Sequence, residues 1–161
     1  MGNKKAYFAG GCFWGVEHLF QGKEGVISVI SGYMGGILDN PTYQDVLTGK
    51  TGHLEAVEVT YDPTQANFEE LAKFFFEIHD ATQTNGQGPD IGAQYLSAVF
   101  YNSEDEKDIT CNLIEILKSK EFNVVTKVIP VAKFWEAEEY HQDYYEKKNQ
   151  QPYCHVYQKK F

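Results

Sequence analysis

The sequence predicts an α/β fold, more specifically a two-layer sandwich in which helices pack on a mixed β-sheet and an irregular C-terminal tail follows. Strand-like and helix-like segments alternate along 161 residues without a repeat or a linker. The connections between them differ in length, which favours a mixed sheet over a purely parallel one. Hydrophobic residues make up 42% of the chain and aromatic residues 15%, enough for one folded core. We therefore expect a single domain over residues 1–161.

Short apolar or β-branched runs predict the strands. They cover residues 4–9, 26–33, 54–61, 95–101 and 124–131. The third run ends at the Asp62-Pro63 pair, which is typical of a turn, and Pro130 stands near the end of the fifth. Five strands of this length are enough for a sheet that helices can cover.

Capping residues followed by amphipathic patterns predict the helices. These helices cover residues 13–21, 68–79, 104–118 and 137–148. Asn67 resembles an N-cap, and Ser103 opens a capping box. Stretches rich in Gly, Pro and Asn interrupt the pattern at 32–42, 47–53 and 80–94, and residues 149–161 form the predicted tail. The last of these stretches is long for a loop, which favours an ordered binding loop.

Charge and cysteine content limit the function classes. The net charge of −9 counts against nucleic acid as a partner, because phosphate binding needs basic patches. No apolar stretch is long enough to span a membrane, and the N-terminus lacks a secretory pattern. Cys12, Cys111 and Cys154 show no paired spacing and no metal-binding motif, so we expect a reducing, cytoplasmic location and no metal.

The most informative segment of the chain surrounds Cys12. Glycines precede this cysteine, Phe13 and Trp14 follow it, and the predicted helix begins there. A helix N-terminus favours the thiolate, and the aromatic residues supply an apolar, polarisable surface beside the sulfur. This pattern indicates a nucleophile for a small apolar substrate. A buried cysteine that fills the core is the alternative.

Four further residues could carry chemistry. Glu55 begins a partly apolar strand, where burial would raise its pKa and make it a proton donor near neutral pH. Asp90 lies in the long loop, and Tyr43 and Tyr95 offer hydroxyl donors within or beside the loops. Each also has an ordinary interpretation: an exposed strand end for the glutamate, a turn for the aspartate and packing for the tyrosines.

The two remaining cysteines differ in their setting. Cys111 falls within a predicted helix and is interpreted as a spectator. Cys154 lies in the predicted tail, and a cysteine on a mobile tail can swing toward another thiol, as a resolving cysteine must. An incidental exposed thiol is the alternative for Cys154.

Taken together, ordered sequence blocks along almost the whole chain resemble the A-type peptide methionine sulfoxide reductases. The blocks are Gly-Cys-Phe-Trp-Gly (11–15), Gly-Tyr-Met-Gly-Gly (32–36), Asn-Pro-Thr-Tyr-Gln-Asp-Val (40–46), Thr-Gly-Lys-Thr-Gly-His-Leu-Glu (48–55), Tyr-Asp-Pro (61–63), His-Asp-Ala-Thr-Gln (79–83), Gln-Gly-Pro-Asp-Ile-Gly (87–92), Gln-Tyr (94–95) and Glu-Glu-Tyr-His-Gln-Asp-Tyr (138–144). The ordered set is far more specific than any single block.

The resemblance implies an α/β sandwich that reduces the S-epimer of methionine sulfoxide, in proteins and as the free amino acid. It implies Cys12 as nucleophile, Glu55 as proton donor and Cys154 as resolving cysteine. Tyr43 and Tyr95 match the tyrosines that bind the sulfoxide oxygen, Asp90 matches the family's aspartate, and Phe13 and Trp14 match the pocket for the methyl group. No cofactor is implied, thioredoxin serves as external reductant, and a monomer is expected.

The chain departs from the family pattern mainly in the long loop. Gly86 stands where the family usually has Arg, Pro89 where it has Asn, and Leu96 where it has Arg. In the tail, Pro152 replaces the usual Gly before Tyr-Cys, and no second tail cysteine follows. A cycle with two thiols is therefore expected.

Two other classes of function are consistent with parts of the sequence. A cysteine hydrolase or acyl transferase would pair Cys12 with His18, His53 or His141. A peptide-binding domain without catalysis would use only the aromatic pocket. The first would turn over esters or amides without a reductant, and in the second Cys12 would stay unreactive toward methionine sulfoxide.

Overall fold

The protein folds as a six-stranded sheet covered by helices. The computed structural model describes residues 2–152 and 155–161. The elements are β1 (Lys4–Gly10), α1 (Phe13–Gln21), β2 (Val26–Met34), α2 (Tyr43–Leu47), β3 (Leu54–Tyr61), α3 (Phe68–Glu77), β4 (Gly86–Gln87), β5 (Asp90–Ile91), β6 (Ser97–Tyr101), α4 (Glu104–Ser119), β7 (Lys127–Pro130), β8 (Trp135–Glu136) and α5 (Tyr144–Lys148). Short 3-10 turns cover Ala93–Tyr95 and Glu139–His141. Within the described ranges, no helix has both the length and the apolar character to cross a membrane.

The sheet has the strand order β7-β6-β1-β3-β2-β8 and is mixed. The central strand β1 pairs antiparallel with β3 and β6, whereas β6 and β7 run parallel. β4 and β5 form a separate small hairpin in the long loop. The predicted α/β fold around a mixed sheet is therefore confirmed.

Alternation along the strands divides the apolar residues between the two faces of the sheet. Phe8, Val57 and Val99 lie on the face that α1, α3 and α4 cover, and they belong to the larger core. Ala56 and Phe100 point to the other face, where loop residues cover a smaller core. Because side chains two residues apart share a face, β3 directs Glu55 toward α1.

The prediction of a helix over residues 137–148 is wrong. Only the turn Glu139–His141 and the short α5 are helical, and strand β8 precedes them. Gln142 instead uses both ends of its side-chain amide to bond the backbone of Ser31 in β2. Asp143 adopts a left-handed backbone with φ of 54°, which ends any continuous helix. Tertiary hydrogen bonds thus override the helical pattern.

Other differences from the predicted elements are smaller. The sequence predicts no element for residues 43–46, between two irregular stretches, but Thr42 and Asp45 form a reciprocal capping box that starts the short helix α2. Tyr95 lies in a 3-10 turn, so β6 begins at Ser97 rather than at residue 95. The strand predicted over 124–131 is shortened to β7, and α3 ends two residues before the predicted end.

The end of the tail is irregular, as predicted, and it is docked on α3 rather than loose. The Gln158 N–H donates to the Glu77 carbonyl at 2.7 Å. The Lys160 ammonium donates to the carbonyls of Phe76 and His79 at 2.6 and 2.9 Å. A cation at the C-terminus of a helix satisfies the last carbonyls and complements the helix dipole. Residues 155–161 therefore belong to the folded structure.

Candidate active site

Cys12 occupies the N-cap of α1, at the turn that connects β1 to this helix. Its carbonyl accepts the N–H groups of Gly15 and Val16, and the residue is 6% exposed. Gly11 makes the turn possible, since its φ of 94° is left-handed and a Cβ there would collide with the side chain of Gln87. The turn holds the thiol at the positive end of the helix dipole, which favours a thiolate.

Glu55 reaches the same turn from β3. Its Oε1 accepts the Phe13 backbone N–H at 3.2 Å, which places the carboxyl one residue from Cys12. Its Oε2 has no hydrogen-bond partner among the described residues, and the side chain is 1% exposed. The carboxyl is therefore held at one oxygen and available at the other.

Burial raises the pKa of Glu55 to about 8, although the Phe13 N–H opposes the rise. The charge of Asp90 raises this pKa further. Asp90 lies half-buried in β5, and the β4–β5 hairpin holds it. At neutral pH Glu55 is accordingly a neutral acid with a proton to donate.

Gly86 explains how this chain builds that hairpin. A Cβ at Gly86 would collide with the carbonyl oxygen of Asp90 across the hairpin. Gly86 is one of the departures from the family pattern noted in the sequence, and here it permits the close strand pairing that positions Asp90.

Two tyrosine hydroxyls complete the polar side of the site. Tyr43 starts α2 and Tyr95 ends the turn at Ala93–Tyr95, and both side chains are half-buried. Burial raises the pKa of Tyr43 to about 12, and Glu55 and Cys12 raise it further. Burial, then Glu55, also raises the pKa of Tyr95. Both hydroxyls thus stay protonated as donors around the same acid and thiol.

Phe13 and Trp14 form an apolar wall beside these groups. Phe13 is fully buried, with its ring 5.1 Å from that of His141. Trp14 is half-buried, stacks on Tyr144 at 3.7 Å and donates its indole N–H to His141 Nδ1 at 3.0 Å. The indole is therefore held in one orientation, and the His141 ring contacts both Phe13 and Trp14.

Sequence patterns did not reveal the supporting role of residues 138–144, which lie in the segment wrongly predicted as helix. Glu138 accepts the Tyr33 hydroxyl at 2.8 Å and the Tyr43 N–H at 2.9 Å, so it ties β2 to α2. Burial opposes ionisation of Glu138, but these bonds lower its pKa overall. The available signal was the dense mixture of acidic and aromatic residues over 138–145, which is atypical of an amphipathic helix.

A second buried acid supports the same segment from α1. Glu17 Oε1 accepts the Asp143 N–H at 2.9 Å, and Oε2 has no hydrogen-bond partner in the described part of the chain. Burial raises the pKa of Glu17 to about 7, although the backbone bond from Asp143 opposes the rise. Glu17 thereby fixes the start of α5, where Tyr144 stacks on Trp14.

The comparisons with known proteins agree with this geometry. A family model described as peptide methionine sulfoxide reductase matches residues 4–161. The chain belongs to the peptide methionine sulfoxide reductase family. Membership places it among oxidoreductases, and it confirms the family resemblance seen in the sequence.

Relatives of this reductase chain match over nearly their whole length. The peptide methionine sulfoxide reductase MsrA of Acidobacterium capsulatum is 50% identical over 155 residues, covering 94% of this chain and 99% of the relative. The crystal structure of reduced Mxr1 from Saccharomyces cerevisiae superposes with a TM-score of 0.90 at 34% identity, covering 97% of this chain and 92% of that one. Mxr1 in complex with Trx2 gives 0.66 at 25% identity, covering 97% and 90%.

The structure brings most of the predicted site residues of this reductase chain together. Five of them interact electrostatically around the N-terminus of α1, namely Cys12, Glu55, Tyr43, Tyr95 and Asp90. Cys154 lies outside the described residues, and Cys111 is exposed on α4. No group of three or more His, Cys, Asp or Glu side chains that could bind a metal occurs among residues 2–152 and 155–161.

The histidines proposed for a hydrolase have other contacts. His53 accepts the Gly36 N–H at Nδ1 and bonds the Leu38 carbonyl with Nε2, so both of its nitrogens serve the loop. His141 Nδ1 accepts the Trp14 indole N–H. These bonds give His53 and His141 structural roles, and the ring of the third histidine, His18, packs edge-on against Tyr145. The family membership does not favour a hydrolase.

The buried acid Glu55 predicts a pH-dependent stability for this reductase. Its folded pKa of about 8 lies above the ordinary 4.5. Between these values the folded state holds a proton that the unfolded chain has lost, so the free energy of unfolding falls as pH rises. One proton corresponds to about 1.4 kcal/mol per pH unit. In urea unfolding between pH 5 and 7.5, the free energy of unfolding of Glu55→Gln is expected to fall less steeply than that of the parent, by about 1 kcal/mol per pH unit. Equal slopes in the two proteins would contradict a neutral buried Glu55.

Proposed function

We propose that the whole chain acts as one catalytic domain that reduces the S-epimer of methionine sulfoxide, in proteins and as the free amino acid. One observation carries the proposal: a neutral Glu55, with Oε2 unpartnered among the described residues, is bonded to the N–H that follows Cys12. A nucleophile and a protonated acid at this separation can act on the two ends of one polar bond.

The sulfoxide methyl group rests against the apolar wall of Phe13 and Trp14, in which Trp14 is half-buried and Phe13 fully buried. The S–O bond points toward Glu55 and the hydroxyls of Tyr43 and Tyr95, which stay protonated. Negative charge builds on this oxygen during the reaction, so three donors directed at it stabilise the transition state more than the ground state. Burial keeps Glu55 protonated, and the charge of Asp90 adds to this effect.

The Cys12 thiolate attacks the sulfoxide sulfur, and Glu55 transfers its proton to the oxygen. The sulfur–oxygen bond of the sulfoxide then breaks as the protonated oxygen passes to the Cys12 sulfur. The bond between the two sulfur atoms breaks in the same step, so methionine leaves and Cys12 becomes a sulfenic acid. The sulfoxide sulfur is reduced by two electrons, and the cysteine sulfur is oxidised by two. General acid assistance of this kind contributes roughly 10²- to 10⁴-fold.

Cys154 then condenses with the sulfenic acid, and thioredoxin reduces the resulting disulfide. The solved complex of the similar protein Mxr1 with Trx2 supports this route for the electrons. No metal or organic cofactor takes part in the cycle. We infer a monomer in the cytoplasm that repairs oxidised proteins, with no nucleic acid or membrane as partner.

A thiol titration on each epimer tests the function. The intact protein is mixed with the S-epimer or the R-epimer of methionine sulfoxide without a reductant. Loss of two thiols and release of one methionine per protein with the S-epimer alone is the expected result. Equal loss with both epimers would refute the stereochemical assignment, and no loss with either would refute the reductase function.

Cys154→Ser is expected to release one methionine per protein and then to stop when thioredoxin is the reductant. The variant retains the nucleophile and the acid but has no second thiol to form the disulfide that thioredoxin reduces. Methionine release with and without thioredoxin is the measurement. Continued turnover at the wild-type rate with thioredoxin would remove the resolving role from Cys154.

A further inference from the structure

The imidazole of His155, in the tail, is buried against the turn that carries Cys12. The residue is 3% exposed, and its Nε2 lies 2.6 Å from the Gly10 carbonyl oxygen. A carbonyl oxygen only accepts hydrogen bonds, so Nε2 carries the proton. Burial lowers the pKa of His155, although the bond to Gly10 opposes this, and the ring is neutral at pH 7. The tail is thus bonded to the chain two residues before the nucleophile.

A glycine in α1 provides the space for this ring. Gly15 lies in the first turn of α1, where a Cβ would collide with Nδ1 of His155. At Gly11 a Cβ would lie at an ordinary contact distance, 3.5 Å, from Nε2 of the same ring, so the space depends on Gly15. Glycine weakens a helix relative to alanine, so a glycine within α1 has no benefit for the helix itself. The missing side chain at position 15 instead lets the imidazole lie on α1.

The position of His155 in the chain gives this contact a consequence for the second cysteine. His155 follows Cys154 directly. Consecutive Cα atoms are about 3.8 Å apart, so a docked His155 limits how far its neighbour can lie from α1. Downstream, Gln158 and Lys160 bond the end of α3. The C-terminal side of the predicted resolving cysteine is therefore anchored at two places.

We propose that His155 is a positioning residue for disulfide formation, held in a cradle formed by the Gly10 carbonyl and the bare backbone of Gly15. This inference rests on the proposed function, in which Cys154 resolves the sulfenic acid on Cys12. In that step an S–S bond forms, the S–OH bond of Cys12 breaks, and the thiol proton of Cys154 leaves with the hydroxyl as water. A docked tail raises the effective concentration of the second thiol near Cys12, because this thiol does not have to reach the sulfenic acid by diffusion of a flexible segment.

His155→Ala, compared in a Cys111→Ser background, separates the two steps of the cycle. After one equivalent of methionine S-sulfoxide, methionine release reports the first step, and loss of the second thiol reports the disulfide step. We expect the variant to release one methionine at a rate within about twofold of the parent. We expect the second thiol to disappear roughly tenfold more slowly or worse, with matching persistence of a sulfenic acid that dimedone traps.

Gly15→Ala tests the cradle from the side of the helix. The added methyl group occupies the ring position, so this variant is expected to slow the disulfide step like His155→Ala. In the double variant the methyl group has no ring to displace, so no further slowing is expected. Gly22→Ala is the matched control, because a Cβ there meets only the Leu19 carbonyl oxygen at 3.7 Å.

The outcomes distinguish this inference from the proposed function. Disulfide formation at the parent rate in both His155→Ala and Gly15→Ala would overturn the positioning role, even if methionine release were normal. Absence of methionine release in the parent would overturn the proposed function itself. A folding defect lowers the amount of methionine released and leaves the ratio of the two rates in the active fraction unchanged, so it does not imitate the expected result.

Discussion

Cys12→Ser is expected to abolish the reduction of methionine sulfoxide, with a loss of roughly four orders of magnitude or more. A serine hydroxyl ionises far less readily than a thiol. The serine oxygen also cannot accept the sulfoxide oxygen, whereas the cysteine sulfur accepts it and becomes a sulfenic acid. The variant should still fold, because Cys12 stands at the N-cap of α1, where serine is a favoured residue. Methionine release per protein, with and without thioredoxin, measures the loss.

Cys111→Ser is the matched control for this substitution. Cys111 is exposed on α4, away from the α1 turn, so its replacement should leave turnover unchanged. Residual activity of a few per cent in Cys12→Ser would mean that another group attacks the sulfoxide, and the assignment of the nucleophile would then be wrong.

Glu55→Gln is expected to lower kcat/KM by roughly 10²- to 10⁴-fold, the usual contribution of a general acid. The amide is nearly isosteric and can still accept the Phe13 N–H, so the turn at Cys12 stays in place. It cannot supply the proton that the sulfoxide oxygen takes up. The loss should therefore appear in methionine release within the first turnover, before any disulfide forms.

Glu58→Gln is the matched control, since Glu58 lies on the same strand but points to the other face. There it accepts the Tyr7 hydroxyl at 2.9 Å, and its replacement should leave the first turnover unchanged. A rate near that of the parent in Glu55→Gln would move the proton donor to another residue, with Tyr43 and Tyr95 as the next candidates.

The same carboxyl sets the alkaline side of the pH profile. With its pKa at about 8, Glu55 holds its proton below that value and loses it above. The rate of methionine release should therefore fall about tenfold per unit well above pH 8. In Glu55→Gln this decline should disappear from the residual rate.

Local patterns predicted those elements whose residues need little information from the rest of the chain. The bounds of α1 and β3 match the prediction, because a glycine turn before Cys12 and the alternation before Asp62-Pro63 are local signals. The chemical types at the site were equally visible, as a thiol at a helix start and an acid at a strand end. The family blocks then connected residues that are far apart in the chain.

The segment 138–144 shows where such local patterns fail. Its residues have ordinary helix propensity, yet Glu138 and Gln142 bond the backbone or side chains of β2 and α2, about a hundred positions earlier. Hydrogen bonds of this kind form only when the sheet exists. The same reason hid the role of His155, whose partner Gly10 lies 145 positions away.

By itself, the sequence determined the longer strands and helices as far as β7, the α/β class and the types of reactive group, since each depends on neighbouring residues. Only the tertiary structure decided that Glu55 is a neutral acid, because its pKa depends on burial against α1 and on the charge of Asp90. It also decided which residues hold the aromatic wall and the tail. Those decisions arise from desolvation and from contacts between distant segments, which exist only after the chain has folded.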